Sequence, residues 1–74
     1  MAVTIITFQV VHSDGTPVPS QQVILRTLGD MQYGITDYYG YVTIPTRDDS
    51  GNVIIQGRTR HCGYLLDLTQ VVLN

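Results

Sequence analysis

Lysine, glutamate and tryptophan are missing from this 74-residue chain, and cysteine occurs once, as Cys62. The four cations are all Arg (Arg26, Arg47, Arg58, Arg60) and the six anions are all Asp. Lys and Glu are good helix formers, so their absence argues against helices. Val, Ile, Thr and Tyr, which suit pleated, half-buried positions, are plentiful. The bias points to an all-β chain. A net charge of −2 gives no positive footprint for a phosphate backbone, and Arg47, Arg58 and Arg60 have Asp48 and Asp49 nearby, which argues against nucleic-acid partners. The lone cysteine closes no intramolecular disulfide. Two His and one Cys without finger or knuckle spacing do not make a zinc site, and neither a metal nor another cofactor is implied.

Chemistry based on serine is equally unsupported. Ser13, Ser20 and Ser50 lack a patterned His and Asp context, and no Gly-x-Ser-x-Gly elbow occurs. No apolar run approaches the length of a membrane span, and the opening Met1-Ala2-Val3-Thr4-Ile5-Ile6-Thr7 lacks the basic start of a signal peptide. The expectation is a non-catalytic chain that begins inside a strand and does not insert into a membrane, whether free or part of a surface assembly.

A chain this short forms one domain that buries only about 60% of its unfolded surface, so partners or self-assembly are natural routes to stability. Hydrophobic residues make up 43% and charged ones 14%, too apolar a mixture to stay disordered. Period-two patterning, broken about every ten residues by Gly, Pro, Asp or Asn, predicts a small sandwich or barrel. Six strands are expected, over residues 3–11, 21–28, 32–36, 41–45, 52–60 and 64–73. In the first, Thr4, Ile6, Phe8 and Val10 form the better core face. Asp14-Gly15 supplies a turn tolerant of positive φ, after which Pro17 and Pro19 hold an extended segment out of any central ladder. Between the third and fourth strands Asp37 is expected to cap backbone amides while Gly40 takes the left-handed position. Residues 47–51, ending at Gly51, read as a polar turn.

These motifs carry a family resemblance: Asp14-Gly15-Thr16-Pro17-Val18-Pro19, then Val23, then Thr36-Asp37 with Gly40-Tyr41-Val42-Thr43-Ile44, and Gly63-Tyr64. Their order resembles the carboxypeptidase regulatory-like, transthyretin-like β-sandwich, over most of the chain from about Phe8 to Leu73. The resemblance implies an all-β, six- to seven-stranded antiparallel Greek-key sandwich, also immunoglobulin-like in general form. It further implies a bracing or docking role within a larger surface, pilus-like or phage-tail assembly. The pattern departs where Gln21 or Gln22 stands in place of a small residue. Two chemistries of related sandwiches find no support. Lys–Asn isopeptide cross-linking needs a Lys, although Asn74 sits where an acceptor would lie. The hydroxyisourate hydrolases end in Tyr-Arg-Gly-Ser, whereas this chain ends Val71-Val72-Leu73-Asn74, so His12, Arg47 and His61 carry no such assignment.

The remaining candidates have plain structural explanations. His61-Cys62 resembles an activated thiol pair, yet neighbours on a strand point to opposite faces, leaving one buried and the other exposed. Asp48-Asp49-Ser50-Gly51-Asn52 resembles a calcium loop but lacks the closing Glu, and turn chemistry explains it. Tyrosine is more informative. Tyr33, Tyr38, Tyr39, Tyr41 and Tyr64 are five of six aromatics, and Tyr38-Tyr39 fall at a loop tip. Tyr33, Tyr38 and Tyr39 are therefore candidates for protein or glycan recognition, although the plainer expectation is that Tyr41 and Tyr64 cover the core while Tyr38 and Tyr39 lie flat over neighbouring strands. Leu66, Leu68, Val71 and Leu73, in a terminal stretch apolar on both faces, are candidates for self-association into a homo-oligomer, because no Lys guards the sheet edges. Two roles follow: an assembly or protein-interaction module, or a glycan-binding module using the loop tyrosines.

Overall fold

A computed structural model describes residues 3–73, leaving Met1, Ala2 and the suggested acceptor Asn74 outside the described residues. Seven strands follow one another: β1 (Thr4–Val11), β2 (Gln22–Arg26), β3 (Met31–Ile35), β4 (Tyr41–Thr46), β5 (Ser50–Ile55), β6 (Arg58–Tyr64) and β7 (Gln70–Val72). They form a three-stranded sheet in the order β4-β1-β7 and a four-stranded sheet in the order β3-β2-β5-β6. No helix occurs among the described residues.

The two sheets bury one shared core. Ile6, Phe8 and Val10 of β1 and Val42 and Ile44 of β4 meet Val23 and Leu25 of β2 and Val53 and Ile55 of β5, closed at the sides by Val18, Leu65, Val71 and Leu73. Alternation is clean along β4. Along β1 the expected inner face is buried at Ile6, Phe8 and Val10 but not at Thr4, which is exposed, and Val11 of the other face is buried too at the strand's end. Gly34 on β3 belongs to the same packing. A Cβ there would lie 2.6 Å from Val42 Cγ2, so the missing side chain lets β3 close over β4.

Two expected strands are divided differently. The stretch 52–60 is not one strand but the hairpin between β5 and β6, with Gln56 and Gly57 at φ 56° and 76°. Two consecutive positive φ values form the hairpin turn whose twist suits paired strands. Asn-Gly normally announces that turn, and Gln-Gly conceals it. Gln56→Asn relieves the left-handed cost of a longer side chain and is expected to raise stability by about 0.5–1 kcal/mol. A rise of a few degrees in thermal midpoint would register it.

The stretch 64–73 is likewise broken. Leu65 is fully buried, its N–H bonds to Asp49 O at 2.7 Å, and Leu68 N–H turns back to Leu65 O at 3.1 Å. This segment carries the chain from the four-stranded sheet to the three-stranded one, where β7 lies parallel to β1, pairing Gln9 with Gln70 and Val11 with Val72. The three-stranded sheet is therefore mixed, where purely antiparallel pairing was expected, while the four-stranded sheet is antiparallel throughout. Gly51 is also displaced from its expected turn. The bend covers residues 47–49, held by the Thr46 hydroxyl bonded to both Asp48 O and Asp48 N–H, and Gly51 lies within β5. Its lack of a side chain serves close approach, because a Cβ would lie 2.6 Å from Arg26 O.

Two turns carry carboxylates held below their ordinary range. For Asp14 the main cause is the Thr16 hydroxyl, joined by Thr16 N–H at 3.0 Å; for Asp30 it is the Gln32 amide, joined by Met31 N–H at 2.9 Å. A lowered folded pKa stabilises the turns above the unfolded carboxylate value of about 3.9 and is lost as pH falls through the lower folded value. Asp14 is exposed and Asp30 only half-buried, so the effect is local. Amide exchange at Thr16 and Met31 is expected to quicken, relative to the intrinsic rate, as pH is brought below about 4. Protection that is unchanged at pH 2 would refute the assignment.

Candidate functional site

The β3–β4 connection is built around Asp37. Its Oδ1 accepts the N–H groups of Tyr39 at 2.8 Å and Tyr41 at 3.0 Å, while its own N–H bonds to Tyr41 O and its carbonyl accepts Gly40 N–H. Gly40 sits at φ 82°, and its carbonyl accepts Val10 N–H at 2.7 Å, which ties the loop to β1. Asp14 and Gly15 organise the other motif: Gly15 adopts φ 90°, and His12 and Thr16 close the turn through a 2.8 Å backbone bond. The loop thus holds Tyr38 and Tyr39 out in solvent, with their rings edge-to-face at 5.2 Å. The Gln9 side chain fixes the base of this pair through Tyr39 O.

Tyr33 lies elsewhere. It projects from the outer face of the four-stranded sheet, opposite Ile24 of β2, which in turn pairs with Ile54 of β5. Met31 and Ile35 flank it on the same face of β3. Met31, Tyr33 and Ile35 are 40%, 57% and 68% exposed, and Ile24 and Ile54 are half-buried. Cys62 and Tyr64 extend the face along β6, and Leu28 stands fully exposed at the β2–β3 turn. Both faces of this sheet are thus substantially apolar, although only one covers the core. A sheet with one wet face normally alternates apolar inward and polar outward.

Three of the four terminal residues expected to self-associate pack on the chain's own core. Val71 and Leu73 are buried in the core, Leu68 packs against it, and Leu66 is exposed. Val71 and Leu73 are therefore already covered within the chain, and an Asp at position 71 would test folding rather than association. His61 is half-buried with Nε2 2.9 Å from Tyr64 O, while Cys62 is exposed beside an open cavity of about 500 Å³ that Leu28 and Asn52 also line. His12 lines a second basin, of about 650 Å³, with Arg58 and Arg60; Arg47 lines a third cavity, with Asp30. His12 and Arg47 thus belong to different parts of the surface. Among the described residues no group of three His, Cys, Asp or Glu side chains is arranged to hold a metal ion.

The outer face was the surface that sequence patterning missed. Its signal was present as a failure of alternation: Val23-Ile24-Leu25 and Val53-Ile54-Ile55 are each apolar at three consecutive positions. Comparison with known protein families, curated proteins and solved structures finds no match.

Proposed function

We propose that this chain is a non-catalytic assembly module, a transthyretin-like β-sandwich that serves as a structural or interaction component of a larger complex. The observation that carries this reading is the outer face of the four-stranded sheet, where half-buried Ile24 lies between Tyr33 and half-buried Ile54 across the strands, and exposed Met31 and Ile35 flank Tyr33 along β3. A contiguous apolar patch rimmed by polar residues is the usual signature of a protein contact. Gln22, Arg26 and Asn52 supply such a rim here. Cross-strand aromatic and β-branched neighbours also hold the patch flat and preformed, which lowers the ordering cost of binding. The two Asp-Gly-type turns and the Gly63-Tyr64 pair support the family reading.

Absolute mass by light scattering, followed over about a tenfold dilution, tests the proposal. Association that follows mass action supports an assembly module. A monomer at every concentration that binds glycans, and loses them on replacing Tyr38 and Tyr39 with Ala, would move the function to the loop and overturn it.

A further inference from the structure

Four strand edges are open in the two sheets, and three of them are blunted. β4 carries Pro45, which lacks an N–H; β7 is only three residues long; β6 carries Arg58 and Arg60 and is kinked by a register shift opposite Val53 and Ile54. Charge, proline, shortness and bulges are the devices that keep edges from pairing. β3 has none of them. Its sequence Met31-Gln32-Tyr33-Gly34-Ile35 is uncharged and proline-free, and its five residues pair with β2 in unbroken register.

The direction of its free backbone groups follows from the ladder. Thr27 N–H bonds to Asp30 O and Thr36 N–H to Gln21 O, so the even-numbered residues of this segment bond inward to β2. Alternation then turns the N–H and C=O groups of Met31, Tyr33 and Ile35 toward the open edge. The same three residues carry the exposed apolar side chains. Asp30 Oδ1 already accepts Met31 N–H, which leaves Tyr33 and Ile35 as donors and Met31, Tyr33 and Ile35 as acceptors.

We propose that a second copy of this chain docks on β3, antiparallel, about a two-fold axis at Tyr33, so that two four-stranded sheets become one continuous sheet. The register is self-complementary. Tyr33 exchanges both backbone bonds with its counterpart, and each Ile35 N–H meets the other copy's Met31 C=O. Met31 and Ile35 become cross-strand neighbours on the outer face, with Tyr33 against Tyr33 at the centre. No charge lies within the paired segment to repel an identical strand, and none is offered to an acidic or basic foreign partner. A two-fold contact of this kind is closed, giving dimers rather than fibres. The joined edges are narrow, below the roughly 1,200 Å² of a standard interface, so the dimer exchanges and dissociates on dilution.

This inference rests on the assembly reading above, and the test separates the two. Light-scattering mass is measured for the unmodified chain and for Tyr33→Pro, which removes an outward N–H while sparing the β2 ladder. Tyr33→Lys, which opposes like charges at the axis, is the second variant if Pro perturbs folding. The expected result is a mass rising from 8.2 kDa toward twice that value with concentration for the unmodified chain, and a folded monomer by circular dichroism for either variant. A dimer that survives both variants overturns pairing through β3 while leaving the assembly reading intact. A chain that stays at 8.2 kDa throughout overturns this inference and self-assembly together.

Discussion

Gly40→Ala is expected to lower the unfolding free energy by about 2–5 kcal/mol, a large share of the roughly 4–11 kcal/mol typical of a domain this size. Two costs coincide there. The residue sits at φ 82°, where an L side chain is strained, and an added Cβ would lie 2.6 Å from Val10 O and 3.2 Å from both Pro17 Cβ and Val18 N. Two of those three contacts are backbone atoms. They cannot swing aside as a flexible side chain would, and Val10 O is already bonded to Val18 N–H at 3.0 Å. Gly15 is the internal control, because it has φ 90° but open space around its Cα. Gly15→Ala should therefore incur only the conformational cost, about 1–2 kcal/mol. Urea midpoints at constant slope measure both. Equal costs at the two positions would show that the Asp37 loop moves freely away from β1, contrary to the packing described.

Thr36→Val is expected to cost about 2–4 kcal/mol through unsatisfied polar groups rather than through volume. The Thr36 hydroxyl donates to Val18 O at 2.6 Å and accepts Gln21 N–H at 2.8 Å, and the residue is buried. Thr36 backbone groups also bond to Ser20 N–H and Gln21 O. One residue thereby joins the segment after Pro17 to the end of β3, where Ser20 takes a positive φ of 54°. Valine keeps the shape and β-branching but strands the carbonyl and the amide. Thr36→Ser keeps the hydroxyl and should recover most of the loss. If Val and Ser variants unfold at the same denaturant concentration, the bridge contributes nothing and packing alone explains the position.

The same two positions show how much of the molecule could be read before its structure. The Asp37–Gly40 turn was legible because its chemistry is local: a carboxylate two residues from an amide needs no distant partner. The buried Thr36 bridge was not, since its partners lie 15 and 18 residues away and appear only when β2 and β3 pair. The loop-tip position of Tyr38 and Tyr39 was legible for the same local reason, but their exposure, and that of Tyr41 and Tyr64, was not, since the plainer expectation laid these rings over strands or core. The apolar outer face was missed because three consecutive apolar residues on β2 and on β5 read simply as buried strand, and nothing local says that one of the three faces water. Val71 and Leu73 were misplaced by the converse error, with apolar character taken as surface where the chain itself supplied the cover.

Composition and period two by themselves determined that this chain is all-β, which face of β1 turns to the core over Ile6, Phe8 and Val10, and where the Asp14 and Asp37 turns bend. Those properties depend on residues a few positions apart. Tertiary structure alone decided that β7 runs parallel to β1, that Gln56-Gly57 splits one expected strand into two, and that β3 ends a sheet with Met31, Tyr33 and Ile35 uncovered. Alternation states which residues share a face, but hydrogen bonding between distant segments decides whether that face meets the core or water and which edge is left without a neighbour.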